Sequence, residues 1–173
     1  LAHFLLTLEH IDTTNGPVAG PHNFYRGGPL SIYDAQTQQA ISKLNGKVDT
    51  HAITKIWNDA LASTWSKSPV WVHGDIAPTN LLVKKDQLSA VIDFAGLGVG
   101  DPACDYAIAW TFFNDESREI FRTALKVDDE TWSRARGWAL WKALITYAQL
   151  PGTNTTEKEN AKNVIHEIIK GET

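Results

Sequence analysis

The 173-residue chain contains no methionine and one cysteine, Cys104, so it carries neither a disulfide framework nor a multi-cysteine metal site. It also lacks a basic excess: 16 Lys and Arg stand against 20 Asp and Glu, for a formal charge of -4 and a pI near 5.8. A field of that sign does not attract a phosphate backbone, so no nucleic-acid partner is expected. No apolar run is long enough to cross a bilayer and no charged leader precedes a cleavage site, so no membrane is expected either. Together these absences point to a cytoplasmic protein.

The start of the chain lacks something too. It opens with LAHFLLTLEHID, where Leu1, Phe4, Leu5 and Leu8 recur at helical spacing with no capping signal before them. The expectation is a chain that begins inside a helix, with N-terminal sequence of a larger protein missing.

What is present is 43% apolar residues, enough for one compact domain of this length. Residues 13–30, TTNGPVAGPHNFYRGGPL, hold four Gly and three Pro and read as an irregular connection. Beyond it, Ser31 or Asp34 can cap a helix to about Leu44. Asp49 can cap the next, whose Ile53, Ile56, Trp57, Ala60 and Leu61 form one apolar stripe. From Pro69 to Asp93 the period changes. VWVH, LLV and LSAVID are short, apolar strand candidates, with KKDQ as turn material between the last two.

Asp101-Pro102 then reads as a helix start, with the helix running on through CDYAIAWTFF. Further starts fall at Asn114 or Asp115, at Asp128, and at Asn154 with Glu157. Pro151-Gly152 stops the long helix that begins at Asp128. The last helix carries Ala161, Val164, Ile165, Ile168 and Ile169 on one face, with Gly171 as its terminator. The fold class expected is mainly α with a small antiparallel β-hairpin element. Its parts are a helical segment over 1–65, a central segment over 66–104 and a helical subdomain over 105–173.

The chemistry concentrates in HGDIAPTN, residues 73–80. If LLV and VID pair about a turn centred between Asp86 and Gln87, Leu82 faces Val91, Leu81 faces Ile92 and Asn80 faces Asp93. Opposed residues in such a ladder have Cα atoms roughly 4.5 to 5.5 Å apart, so an amide oxygen and a carboxylate converge. Hard oxygens of this kind, completed by waters and phosphates, suit Mg²⁺. Asp75 lies in the loop before them, where Gly74 permits a tight backbone and Pro78 stiffens the path to Asn80. It is placed to accept the proton of an attacking hydroxyl.

HGDIAPTN, then VIDF after a hairpin, then GDPACDYA resembles the catalytic pattern of the aminoglycoside phosphotransferase (antibiotic and small-molecule kinase) family, a branch of the protein-kinase-like fold. The resemblance implies that this chain is a C-terminal lobe, with Asp75 as base and Asn80 and Asp93 holding Mg²⁺. It further implies that His73 braces the loop, that Asp101 and Asp105 are a supporting acidic pair, and that Ile92 lies beneath the adenine. The donor would be ATP or GTP and the acceptor a small-molecule hydroxyl, on an aminoglycoside-like antibiotic or a related metabolite. An N-terminal nucleotide-binding lobe with a phosphate-binding Lys is absent from these residues, so the isolated chain is expected to be inactive. Self-association through the exposed lobe interface is a further expectation. GLGVG, residues 96–100, lacks the GxGxxG spacing and falls where a mobile segment is expected.

Other features read as structural. Cys104 reads as packing. NDES (114–117) and DDE (128–130) stand at helix starts, where carboxylates oppose the helix dipole, although they could also form an acidic pocket for a polycation. Trp138, Trp141 and Tyr147 read as core before they read as a sugar platform. For GPHNFYRGG, residues 20–28, composition supports only a loop, bordering the acceptor site at most. The competing functions are a non-catalytic kinase-like binding module and a metallophosphoesterase. The latter needs more ligands than His3, His10, His22, His51 and His166 supply.

Overall fold

A computed structural model describes residues 1–170. Eight α-helices and four short strands follow in the order α1 (Ala2–Glu9), α2 (Asp34–Lys43), α3 (Thr50–Leu61), β1 (Val70–Val72), β2 (Leu81–Lys84), β3 (Gln87–Val91), β4 (Gly98–Gly100), α4 (Ala103–Tyr106), α5 (Ile108–Thr111), α6 (Asp115–Leu125), α7 (Asp129–Tyr147) and α8 (Lys158–Lys170). The fold is mainly helical, with two separate two-stranded antiparallel ribbons, β1–β4 and β2–β3. Gly171, the expected terminator of α8, lies outside the described residues.

The helix starts follow local chemistry. Side-chain oxygens of Asp49, Asn114 and Asp128 accept the backbone N–H groups of Ala52, Ser117 and Thr131 at 3.0, 2.9 and 2.7 Å, satisfying donors that a helix start leaves unpaired. Asp34 differs. It is the first residue of α2, and its carboxylate accepts the indole N–H of Trp57 at 2.7 Å instead of capping the backbone. Helix α7 is the centre of the molecule, buried on most sides, with Leu140 and Leu144 at its core and α3, α4 and α8 packed around it.

Two expectations need correction. The β2–β3 hairpin pairs Leu81 with Val91 and Leu82 with Ala90, one residue away from the expected register, so Asn80 stands opposite Ile92 and not Asp93. The turn is shorter than anticipated. Lys85 and Asp86 form it alone, with φ of 52° and 59°, the left-handed pair that matches strand twist in two-residue hairpins. A bulge after Leu82 then restores one of the residues by which the turn moved the register. The second correction concerns 98–100, which is a strand: Gly98, Val99 and Gly100 pair with Val72, Trp71 and Val70.

The buried ion pair of Asp101 with Arg134, at 2.7 Å, locks the end of β4 to α7. Its remaining groups are occupied: Arg134 also donates to Ser63 and Thr131, and Asp101 accepts from the Ala103 N–H.

Candidate functional site

His73, Gly74 and Asp75 leave β1 and turn sharply. Gly74 has φ of +83°, and a Cβ there would stand 2.1 Å from the carbonyl oxygen of Gly96, so both the turn and the close approach of the 94–96 segment require glycine. The loop is held from below by Asp105 of α4, whose two carboxylate oxygens accept the backbone N–H groups of His73 at 2.6 Å and Gly74 at 2.7 Å. Burial pushes the Asp105 carboxyl up to about 7, against the lowering pull of those two N–H groups. Asp101 makes no bond to the loop and serves the pair with Arg134.

His73 is fully buried and its protonation state is set by its two partners. Its Nδ1 accepts the backbone N–H of Asp75 at 3.2 Å, which leaves Nε2 as the donor to the carbonyl of Ile92 at 3.0 Å. A second proton on Nδ1 would face an N–H, and burial lowers the pKa of the imidazole, outweighing the raising effects of the Ile92 carbonyl and of the Asp75 and Asp93 charges. This neutral ring ties the loop to the end of β3, and it packs against Phe94 with ring centroids 4.5 Å apart.

Asp75 is exposed at the loop's apex. Asn80, buried in the 3-10 turn Pro78–Asn80, donates through Nδ2 to the Asp75 carbonyl at 2.9 Å and to its carboxylate at 3.3 Å. The Asn80 carbonyl accepts the N–H of Ile92 at 3.0 Å, so Asp93 is one residue beyond the pair and not opposite Asn80. Asp93 is exposed and adopts φ of 65°, a left-handed conformation that turns the chain out of β3. The structure thus gathers Asp75 and Asn80 by direct bonds. It brings Asp93 to the same loop through its neighbours, since Ile92 and Phe94 both touch His73. Ile92 is 42% exposed.

The Asn80 Oδ1 and the Asp93 carboxylate accept no hydrogen bond from the described residues. They are hard oxygens left open, of the chemical kind that binds magnesium. Among the described residues no group of three or more His, Cys, Asp or Glu could hold a metal ion.

A cavity of about 400 Å³ opens beside Asp75. Its walls include Pro78 and Thr79 of the loop, Trp138, Trp141 and Lys142 of α7, and Arg26 from the 13–30 connection. Sequence reasoning did not single out Arg26 or Lys142. For Arg26 nothing local could have done so, because its place depends on a Gly- and Pro-rich path. Lys142 had a weak signal, lying one helical turn beyond Trp138. Cys104 also lines the cavity, and burial raises the pKa of its thiol well above the ordinary value, which disfavours the thiolate. The acidic starts of α6 and α7 lie outside it. Asp115 pairs with Arg118 and Lys170, Asp128 with Lys67, and Asp129 with Arg122.

Residues 1–138 match the model of the phosphotransferase enzyme family. Among solved structures, macrolide 2'-phosphotransferase MphH from Brachybacterium faecium aligns at 19% identity and a TM-score of 0.55, over 95% of this chain and 57% of that one. Aminoglycoside phosphotransferase APH(2'')-Ib with ADP aligns at 17% and 0.51, over 98% and 62%. The streptomycin-ATP-APH(2")-IIa ternary complex aligns at 18% and 0.54, over 93% and 58%. These likenesses show a shared fold, and the chain spans less than two thirds of each of the three. No curated protein matches it. Among the described residues no helix is long and apolar enough to cross a membrane.

Proposed function

The chain belongs to the phosphotransferase enzyme family, and on that premise we propose that it is the C-terminal catalytic and acceptor-binding lobe of a small-molecule kinase. The whole enzyme transfers the γ-phosphoryl group of ATP or GTP to a hydroxyl of a small molecule. The single observation that supports this best is the bond of Asn80 to Asp75. One face of that amide orients the exposed carboxylate, while its free oxygen is available to a cation.

In this reading Asp75 accepts the acceptor hydroxyl's proton and aligns its oxygen for in-line attack. Asn80 and Asp93 hold Mg²⁺, which when bound neutralises charge on the nucleotide phosphates. His73 keeps Asp75 and the Asp93 segment in register, and because both its ring nitrogens are engaged with backbone groups it is not the base. Asp105 fixes the backbone on which Asp75 stands. Leu82, Val83, Leu88, Ile92 and Phe94 are exposed apolar residues on and beside the β2–β3 hairpin. They support the view that a nucleotide-binding lobe, or a second copy of this chain, covers that face.

The metallophosphoesterase reading needs a larger donor set than Asn80 and Asp93 provide. A non-catalytic binding module would not need an exposed carboxylate oriented by Asn80 at the cavity's mouth. The test is Asp75→Ala in the full-length protein. Turnover is expected to fall about 10²- to 10⁴-fold, as for loss of a positioned base, with nucleotide affinity preserved. Unchanged turnover would refute the assignment.

A further inference from the structure

The cavity beside Asp75 carries an unusual balance of charge for a binder of polycations. Besides Asp75, the charged side chains lining it are Arg26, Lys142 and Glu157. Glu157 is already engaged, its Oε1 accepting from Asn154 Nδ2 at 2.8 Å. Arg26 is half-buried, and its guanidinium makes no hydrogen bond or ion pair to any described residue. It lies over two indoles instead, with its Cζ 5.2 Å from the Trp138 ring centroid and 5.4 Å from that of Trp141.

Indole faces offer no lone-pair acceptor, so the guanidinium N–H groups stay without partners there, and that planar fork matches a carboxylate in two parallel hydrogen bonds. The rings hold it in place. Trp141 stacks on Tyr33 with centroids 3.7 Å apart and donates to Gln36 at 3.1 Å. The same rings, with Ile76, Ile108 and Val164, make much of the wall apolar. Of the carboxylates that a polycation would seek at NDES and DDE, Asp115, Asp128 and Asp129 are outside the cavity and paired with Lys67, Arg118, Arg122 and Lys170.

We infer that the acceptor is an anionic hydroxyl compound: an apolar or aromatic body whose carboxylate is taken by Arg26 while its hydroxyl reaches Asp75. This rests on the reading of Asp75 as the base. In the transfer step the hydroxyl oxygen forms a bond to the γ-phosphorus, the bond from that phosphorus to the β-phosphate bridging oxygen breaks, the nucleoside diphosphate leaves, and the hydroxyl proton passes to Asp75. No electron is gained or lost. An aminoglycoside would instead bring several ammonium groups against Arg26 and Lys142, a like-charge arrangement that disfavours it.

Three probes share the same ring and the same primary alcohol and differ in the para group and its charge: para-hydroxymethylbenzoate, para-hydroxymethylbenzamide and para-hydroxymethylbenzylamine. Their affinities for the full-length protein, followed through tryptophan fluorescence, are expected to fall in that order. The benzoate should bind about 10- to 100-fold more tightly than the benzylamine, the range for one hydrogen bond to a charged group. Arg26→Gln should bring the two within about threefold, while Arg26→Lys keeps part of the preference and controls for folding. Equal or tighter binding of the benzylamine, a ratio unchanged in Arg26→Gln, or no binding of any probe at millimolar concentration overturns the inference. Phosphate transfer from ATP to the benzoate is measured separately. A charge preference without transfer contradicts the role of Asp75 and leaves the charge of the occupant standing.

Discussion

Beside the loop, burial has put protons in unusual places. Asp105 titrates near 7 when folded and near 3.8 otherwise, so between those values the native state binds more protons than the unfolded one. Stability from this group therefore falls as pH rises through that window and stays lost above it. His73 has the opposite sign: its lowered pKa means stability is lost as pH falls below its ordinary value. Asp105→Asn should cost about 1–3 kcal/mol at pH 5, because the amide sets an NH₂ donor against one of the two loop N–H groups, where even the protonated carboxyl presents an oxygen. The stability gap between wild type and variant should narrow toward pH 8, as denaturant titrations across that range would show; a constant gap contradicts the buried-proton account. The tryptophans give a second test. Trp138 Nε1 is buried without a partner, whereas Trp141 donates to Gln36. Trp141→Phe should thus destabilise by about 1 kcal/mol more than Trp138→Phe, measured by thermal unfolding.

Single residues were also where the sequence was most and least readable. Asp75 and Asn80 stood out because an Asp and an Asn five residues apart, around a proline, force one tight loop. Arg26 did not, because a guanidinium's address depends on where a long irregular segment happens to be pinned. Here the pins are the Asn23 side chain, bonded to the Gly20 N–H and the Arg26 carbonyl, and the Gly100 backbone against Gly27.

At the level of elements, helices were legible and the hairpin register was not. Caps are local chemistry: Asp49, Asn114 and Asp128 are each found where an Asx precedes a helix, and Asn114→Ala should cost about 1 kcal/mol without moving the active loop. Register depends on turn length and on bulges, and KKDQ does not announce which two of its residues will turn. Lys85 and Asp86 occupy left-handed backbone at a penalty that glycine escapes. Asp86→Gly should therefore raise stability by about 1 kcal/mol, seen as a higher denaturation midpoint; a lower one contradicts the type of turn described. Gly74→Ala belongs to the same scale. With a Cβ 2.1 Å from the Gly96 oxygen, the loop and the 94–96 segment cannot keep their present contact, and the variant should lose activity through displacement of Asp75.

For the molecule as a whole, the elements share a division of labour. α7 carries the core and one wall of the cavity, α4 carries the loop through Asp105, and the β2–β3 hairpin delivers Asp93 and presents an apolar face outward. In the proposed function Asp75 handles the hydroxyl, while Asn80 and Asp93 handle the cation. The measurement that tests it most directly is magnesium dependence of nucleotide binding in the full-length protein, compared between Asp93→Ala and Asp75→Ala. Asp93→Ala should raise the magnesium needed for half-saturation by about tenfold or more, the scale of losing one charged ligand contact, while Asp75→Ala leaves it in place and lowers turnover by about 10²- to 10⁴-fold. Identical magnesium profiles for wild type and Asp93→Ala would contradict that division of roles.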